Sequence, residues 1–206
     1  IANAHTILNI ASAVMFYPLI DRGAILIEKM FPKSDREKEF GPEYLTKDNY
    51  QNSALAFAQA RREALRMGDI LISMLKDSID VFKMEDPDLV ESIRARDTQV
   101  DILQREIKLF LAKMTSPGVQ MGEAAIQLIT YVSDLESAGD VVDNGIMELA
   151  RKKHALKLEF SKDGWQEIQE MHAMVMEIAT ISLTCFHLQD KELAEKVINK
   201  KRELRK

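Results

Sequence analysis

Two acidic pairs carry the strongest chemical signal in this sequence, Asp97 with Asp101 and Glu136 with Asp140. Each is spaced i, i+4, so on a helix both carboxylates stand on one side, where like charges cost roughly 0.2 to 0.5 kcal/mol per pair even in water. A bound cation would remove that cost. No Cys or His lies nearby, so the donor set is all oxygen, which suits hard ions such as Mg²⁺, Ca²⁺, Mn²⁺ or iron better than zinc. Asn144, one turn beyond Asp140, adds a candidate carbonyl oxygen. The competing explanation is a pair of solvated helix faces whose acids are balanced by Arg94, Arg96 or Arg105.

Other chemistry has little support. His5, His154, His172 and His187 are dispersed, and none follows a Glu by three residues, so the Glu-x-x-His ligand pattern of di-iron bundles is missing. No glycine-rich phosphate loop or nucleophile elbow occurs, and no enzymatic activity is expected. A net charge of −5 argues against nucleic-acid binding, which needs a concentrated cationic surface. The single cysteine, Cys185, excludes a disulfide framework and any Cys-based zinc site, and its apolar neighbours predict a place in the core. The eleven methionines are expected to fill gaps in a helical core.

The elements that position the acids must be helices. Eight Gly and five Pro in 206 residues are few, which favours long uninterrupted helices and an all-α fold. From Asn49 onward apolar residues recur at three- and four-residue steps. One helix carries Phe57, Ala60, Ala64, Met67, Leu71, Met74, Ser78 and Val81 on its seam. Asp86-Pro87 then supplies an N-cap and a first-turn proline for a second, with Leu89, Ile93, Arg96, Val100, Leu103, Ile107, Phe110 and Met114. After a break at Thr115-Ser116-Pro117-Gly118, a third carries Ala125, Leu128, Val132, Leu135, Gly139, Val142, Ile146 and Leu149. The short connection makes the second and third helices antiparallel. Asp97 and Asp140 are equidistant from the break, as are Asp101 and Glu136, and all four follow a seam position by one residue. The carboxylates are therefore predicted to converge along one groove, with Ala138 and Gly139 allowing close approach of the helices.

A fourth helix is predicted from near Trp165 to about Gln189, and a fifth from Asp190. An offset of 104 residues superposes Met67 on Met171, Ser78 on Ser182, Phe82 on Phe186, Asp86 on Asp190, Leu89 on Leu193 and Glu91 on Glu195. The helix boundary falls at the same place in both copies. The expected architecture is an antiparallel three-helix bundle over 49–159 plus the first two helices of a second repeat over 160–206. In that second copy Lys201 and Arg205 stand opposite Asp97 and Asp101, so any acidic site is single.

Residues 1–20 contain no Asp, Glu, Lys or Arg, which meets the usual threshold of about 18 residues for a transmembrane candidate. Asn3, His5, Thr6, Asn9 and Ser12 require its polar side to pack on other helices. Arg22, Lys29, Lys33, Arg36 and Lys38 place the downstream side in the cytoplasm. Residues 32–48 mix Pro, Gly and charge without periodicity and read as a linker. The first residue, Ile1, and the helical pattern at the end are what a fragment of a longer protein would show.

These residues resemble a known pairing of families. Ile1-Ala-Asn-Ala-His5-Thr-Ile-Leu-Asn9 followed by Val14-Met-Phe-Tyr-Pro18 is similar to the end of the last transmembrane helix of bacterial sodium/phosphate cotransporters. Arg96-Asp97-Thr-Gln-Val-Asp101 and Asp134-Leu-Glu136-Ser-Ala-Gly139-Asp140-Val-Val-Asp-Asn144 resemble the acidic motifs of PhoU proteins. The resemblance implies that residues 1–31 are the end and exit of the last membrane helix, preceding a PhoU-like helical domain over 49–206. It further implies a regulatory role for that domain on a sodium-dependent phosphate transporter of the bacterial inner membrane, with residues 32–206 cytoplasmic. The implied partners are the transporter's own membrane domain, which handles phosphate and sodium, and the membrane itself through residues 1–20. Metal held by Asp97, Asp101, Glu136, Asp140 and Asn144 is implied too, although Ser137 and Ala138 depart from the family pattern between Glu and Gly. The alternative is a soluble bundle that self-associates as a homo-oligomer and acts as an interaction or scaffold protein.

Overall fold

The computed structural model describes residues 40–46, 53–114 and 122–205. The expected membrane segment at 1–31, residues 32–39 and 47–48 of the linker, and the break at Thr115–Gly118 lie outside the described residues. The described residues are helical throughout, apart from connections and the non-helical stretch 40–46. The elements are α1 (Ser53–Ser78), a 3-10 turn (Asp80–Phe82), α2 (Pro87–Met114), α3 (Glu123–Asp140), a π-helical segment (Val141–Ile146), α4 (Met147–Ala155), α5 (Lys162–Leu188) and α6 (Lys191–Leu204).

The helix boundaries follow local chemistry. Asp86 Oδ1 accepts the Asp88 and Leu89 N–H groups at 3.0 and 3.1 Å, and Pro87 opens α2. Asp190 caps α6 in the same manner through the Glu192 and Leu193 N–H groups. Ser161 caps α5 through the Gly164 N–H, and Phe160, just before the cap, stacks on Trp165 with centroids 5.6 Å apart, a hydrophobic staple. Gln189 closes α5 in the left-handed conformation at φ 54°.

The core lies where α1, α2 and α3 meet. Met67, Met74, Ile93, Leu103, Ile107 and Leu111 are all under 2% exposed, and each contributes about 1.5 to 3 kcal/mol by leaving water. Residues 41–46 belong to the same compact unit, Gly41–Lys206. Residues 41–46 of the expected linker therefore lie along the bundle, held by the buried carboxylate of Glu63. By contrast α5 has no buried residue. It meets α1 through the Arg61 guanidinium, which donates to the Phe186 carbonyl at 2.9 Å, and through His172, whose Nε2 lies 2.8 Å from the Leu75 carbonyl. Cys185, expected in the core, is only half-buried on this helix, and its thiol donates to the Asp190 carbonyl.

Two seams depart from simple periodicity. On α2 the buried position is Asp97, not Arg96. Arg96 reaches sideways to α1, where it pairs with Asp77 at 2.7 Å and donates to Ser73 Oγ at 3.0 Å. The other departure lies beyond Val142, where the seam expected at Ile146 and Leu149 moves to Met147 and Ala150. The π-helical segment is the cause, because a wider turn takes up one extra residue and advances everything after it by one position.

Candidate functional site

The antiparallel hairpin of α2 and α3 brings the predicted acids together. Asp97 is 8% exposed, and its Oδ1 is buried without a hydrogen-bond partner. Gly139 of α3 packs directly over it: a Cβ built there would lie 2.7 Å from that oxygen and 3.6 Å from Val100 Cγ1. Loss of solvent and the negative charge of Asp101, Asp143, Asp140 and Glu136 push Asp97 up to about 6. Asp101 is raised as well, by burial first and then by Glu136, Asp140 and Asp143. Glu136 is the strongest charged neighbour of Asp101, as their matched heights on the two helices require.

Asn144 sits beside the acids but faces its own helix, donating Nδ2–H to Asp140 Oδ1 at 3.1 Å. Asp143 is the member that periodicity missed. It was legible only as a further acid within the Asp140–Asn144 stretch, and the π-helical turn is what brings it round to Arg94, whose Nε lies 3.3 Å from its Oδ1. Of the three arginines expected to balance the acids, Arg94 pairs with Asp143 at the end of the groove, whereas Arg96 and Arg105 are engaged elsewhere, with Asp77 and Glu106. Among the described residues, Asp97, Asp101, Glu136 and Asp140 have no ion-pair partner.

The donor chemistry fits a hard cation. Every candidate ligand is an oxygen, one of them is buried and unsatisfied, and the surrounding carboxylates raise the proton affinity of Asp97 and Asp101. Among the described residues, however, no three His, Cys, Asp or Glu side chains are arranged to hold one metal ion. The groove is a concentration of negative charge, not a closed coordination shell.

The Gly139 contact gives a direct test. Gly139→Ala is expected to lose about 1 kcal/mol, since overpacking costs about 1 to 3 kcal/mol and the helix gains about 1 from replacing glycine. In an Asp97→Ala background the same substitution should instead stabilise by about 0.5 to 1 kcal/mol. Urea denaturation of the four-member cycle measures this, and strictly additive effects would exclude the contact as the cause.

Comparison with known proteins gives a match on this hairpin. Residues 64–148 match the model of the PhoU domain, a span that holds all four predicted acids together with Asp143 and Asn144. The chain is also 24% identical over 204 residues to the "Putative inorganic phosphate export protein YjbB" of Escherichia coli (strain K12). The proteins of the same name in Shigella flexneri and Salmonella typhimurium are 24% identical over the same length. Each alignment covers 98% of this chain and 37% of the relative, so the chain spans little more than a third of the curated relatives it matches. No solved structure matches it. The PhoU-domain match is thus confined to residues 64–148, while distant homology to these phosphate-export relatives runs over nearly the full chain.

Proposed function

We propose that this chain is the non-enzymatic regulatory part of a phosphate-transporting membrane protein. The observation that carries this reading is the alignment of 98% of the chain with relatives named for phosphate export, with the PhoU match falling on the acid-bearing hairpin. In this reading residues 1–20 end the last membrane helix of a sodium-dependent carrier in the bacterial inner membrane, and the helical domain docks on the cytoplasmic side of the transport domain. The matching caps at Asp86 and Asp190 support an incomplete second repeat beside a complete three-helix unit.

Control would run through the acidic groove. Asp97, Asp101, Glu136 and Asp140, with Asn144 and Asp143 at its end, would hold a hard cation, which would supply positive charge where the carboxylates repel. The π-helical segment joins that groove to the apolar clefts beside α5, since Asp143 faces the acids while Val142 and Ile146 line the clefts. A ligand shifts transport only if it binds two states of the protein with different affinity, and this segment is the element whose geometry would differ.

Phosphate flux through the intact transporter, compared with a version ending after Phe31, tests the reading. Truncation should leave transport operating but abolish its response to phosphate and metal status; identical flux and identical response would remove the regulatory role. A second reading, self-association, is favoured by the apolar α5, which among the described residues is the one helix long and apolar enough to cross a membrane yet has no buried residue. Sedimentation of the chain at several concentrations separates the two.

A further inference from the structure

The shift of seam at the π-helical segment leaves Leu149 facing water at 59% exposure, and the chain then adds three more exposed apolar side chains, Leu156, Leu158 and Phe160. Three of the four, Leu149, Leu158 and Phe160, line one cleft of about 660 Å³ that also reaches Ile79 and Met171. Cations interleave with them. Residues 147–165 carry five Lys or Arg against three Asp or Glu, in a chain whose net charge is −5. Arg151 and Lys152 are paired with Glu148. Among the described residues, Lys153, Lys157 and Lys162 have no carboxylate partner, and Lys153 lies over the Phe160 ring at 5.7 Å.

This lip is held in shape by its own backbone and by aromatic contacts. Lys157 is left-handed at φ 51°, and the Leu158 N–H donates back to the Lys153 carbonyl at 2.9 Å. His154 Nε2 lies 2.8 Å from the Val81 carbonyl, and Phe160 packs between Phe82 and Trp165. Leu158 and Phe160 are therefore held in place by a fixed turn, at the cleft that Leu149 also lines. Apolar side chains interleaved with lysines that outnumber the nearby acids match an anionic bilayer, whose acyl boundary takes the former and whose headgroups attract the latter.

We propose that the α4–α5 lip is a peripheral docking site for anionic phospholipid, with Leu149, Leu156, Leu158 and Phe160 entering the interface and Lys153, Lys157 and Lys162 meeting headgroup phosphates. The site is independent of the acidic groove and of the transport reading.

Trp165 is the single tryptophan of the sequence and stacks on Phe160, so its fluorescence reports on this lip alone, whatever residues 1–20 do in a membrane. The full chain is mixed with phosphatidylglycerol-containing vesicles, with pure phosphatidylcholine vesicles, and with anionic vesicles carrying brominated acyl chains. The expected result is a blue shift on anionic vesicles, quenching by bromine, and little change on neutral ones. Each interfacial lysine is worth about fivefold in partitioning, so the combined Lys153→Gln, Lys157→Gln and Lys162→Gln variant should weaken the Trp165 response by about two orders of magnitude, with its far-UV melt unchanged. Absence of any Trp165 response to anionic vesicles, bound or unbound, would overturn the proposal. So would an equal response to neutral vesicles, or a shift that follows protein concentration without vesicles, which would mean that a second copy covers the lip.

Discussion

Glu63→Ala is expected to destabilise the domain by about 3 to 5 kcal/mol, the usual loss when one partner of a buried ion pair is removed. Glu63 is fully buried. Its Oε2 accepts the Glu43 and Tyr44 N–H groups at 2.9 and 2.8 Å, and its Oε1 accepts from the Arg66 guanidinium at 2.6 Å. Arg66 in turn donates to the Gly41 carbonyl at 3.1 Å, and Arg62 lies over the Tyr44 ring at 4.0 Å. Alanine would strand two backbone donors and leave a guanidinium without its closest partner, so residues 41–46 should detach from α1. Urea denaturation measures the energy, and limited proteolysis before Ser53 measures the detachment. Glu63→Ala with an unchanged midpoint and unchanged cleavage would mean that this carboxylate does not hold the segment.

Asp97→Asn, in contrast, should make the protein more stable at neutral pH. The carboxyl of Asp97 is raised from 3.8 to about 6 in the fold, so between these values the native state binds more protons than the unfolded chain, and stability falls as pH rises through that window. A displacement of this size is worth at most about 3 kcal/mol, and with solvent reaching the groove from one side about 1 to 2 kcal/mol is expected. The variant should match the wild type near pH 4 and exceed it by that amount at pH 8, as read by denaturation at the two pH values. Millimolar Mg²⁺ or Mn²⁺ should raise the wild-type melting temperature at pH 8, and the raise should shrink in the variant. A stability difference between the two proteins that is the same at both pH values would show that Asp97 does not titrate in this range.

Much of the scaffold was legible because its signals are local. The caps Asp86-Pro87 and Asp190, the seam of α1 and the antiparallel run of α2 and α3 each follow from a few residues and a fixed helical period. The convergence of acids was legible too, since equal distance from one break sets equal height. What periodicity could not supply was any event that changes the period. Reading α3 onward at 3.6 residues per turn placed Ile146 and Leu149 inside, and no residue type in Val141–Ile146 announces the wider turn. Nor could a pattern of apolar residues select Asp97 over Arg96 for the seam. That choice depends on the hollow above Gly139 and on the reach of Arg96 to Asp77, both properties of the neighbouring helices. Glu63 was hidden for a similar reason: it lies between Ala60 and Ala64 and reads as a surface acid until residues 43 and 44 fold over it.

The wide turn at Val141–Ile146 also absorbs a change of length. Losing one residue there would restore ordinary pitch while 147–155 keep the faces they now present, with Met147 and Ala150 inward and Leu149 toward water. The same number of residues wound at ordinary pitch would instead turn α4 by about 100°, carrying Leu149 inward and Met147 toward water. The exposed leucine thus depends on where one extra residue is accommodated, and not on the residue types of α4.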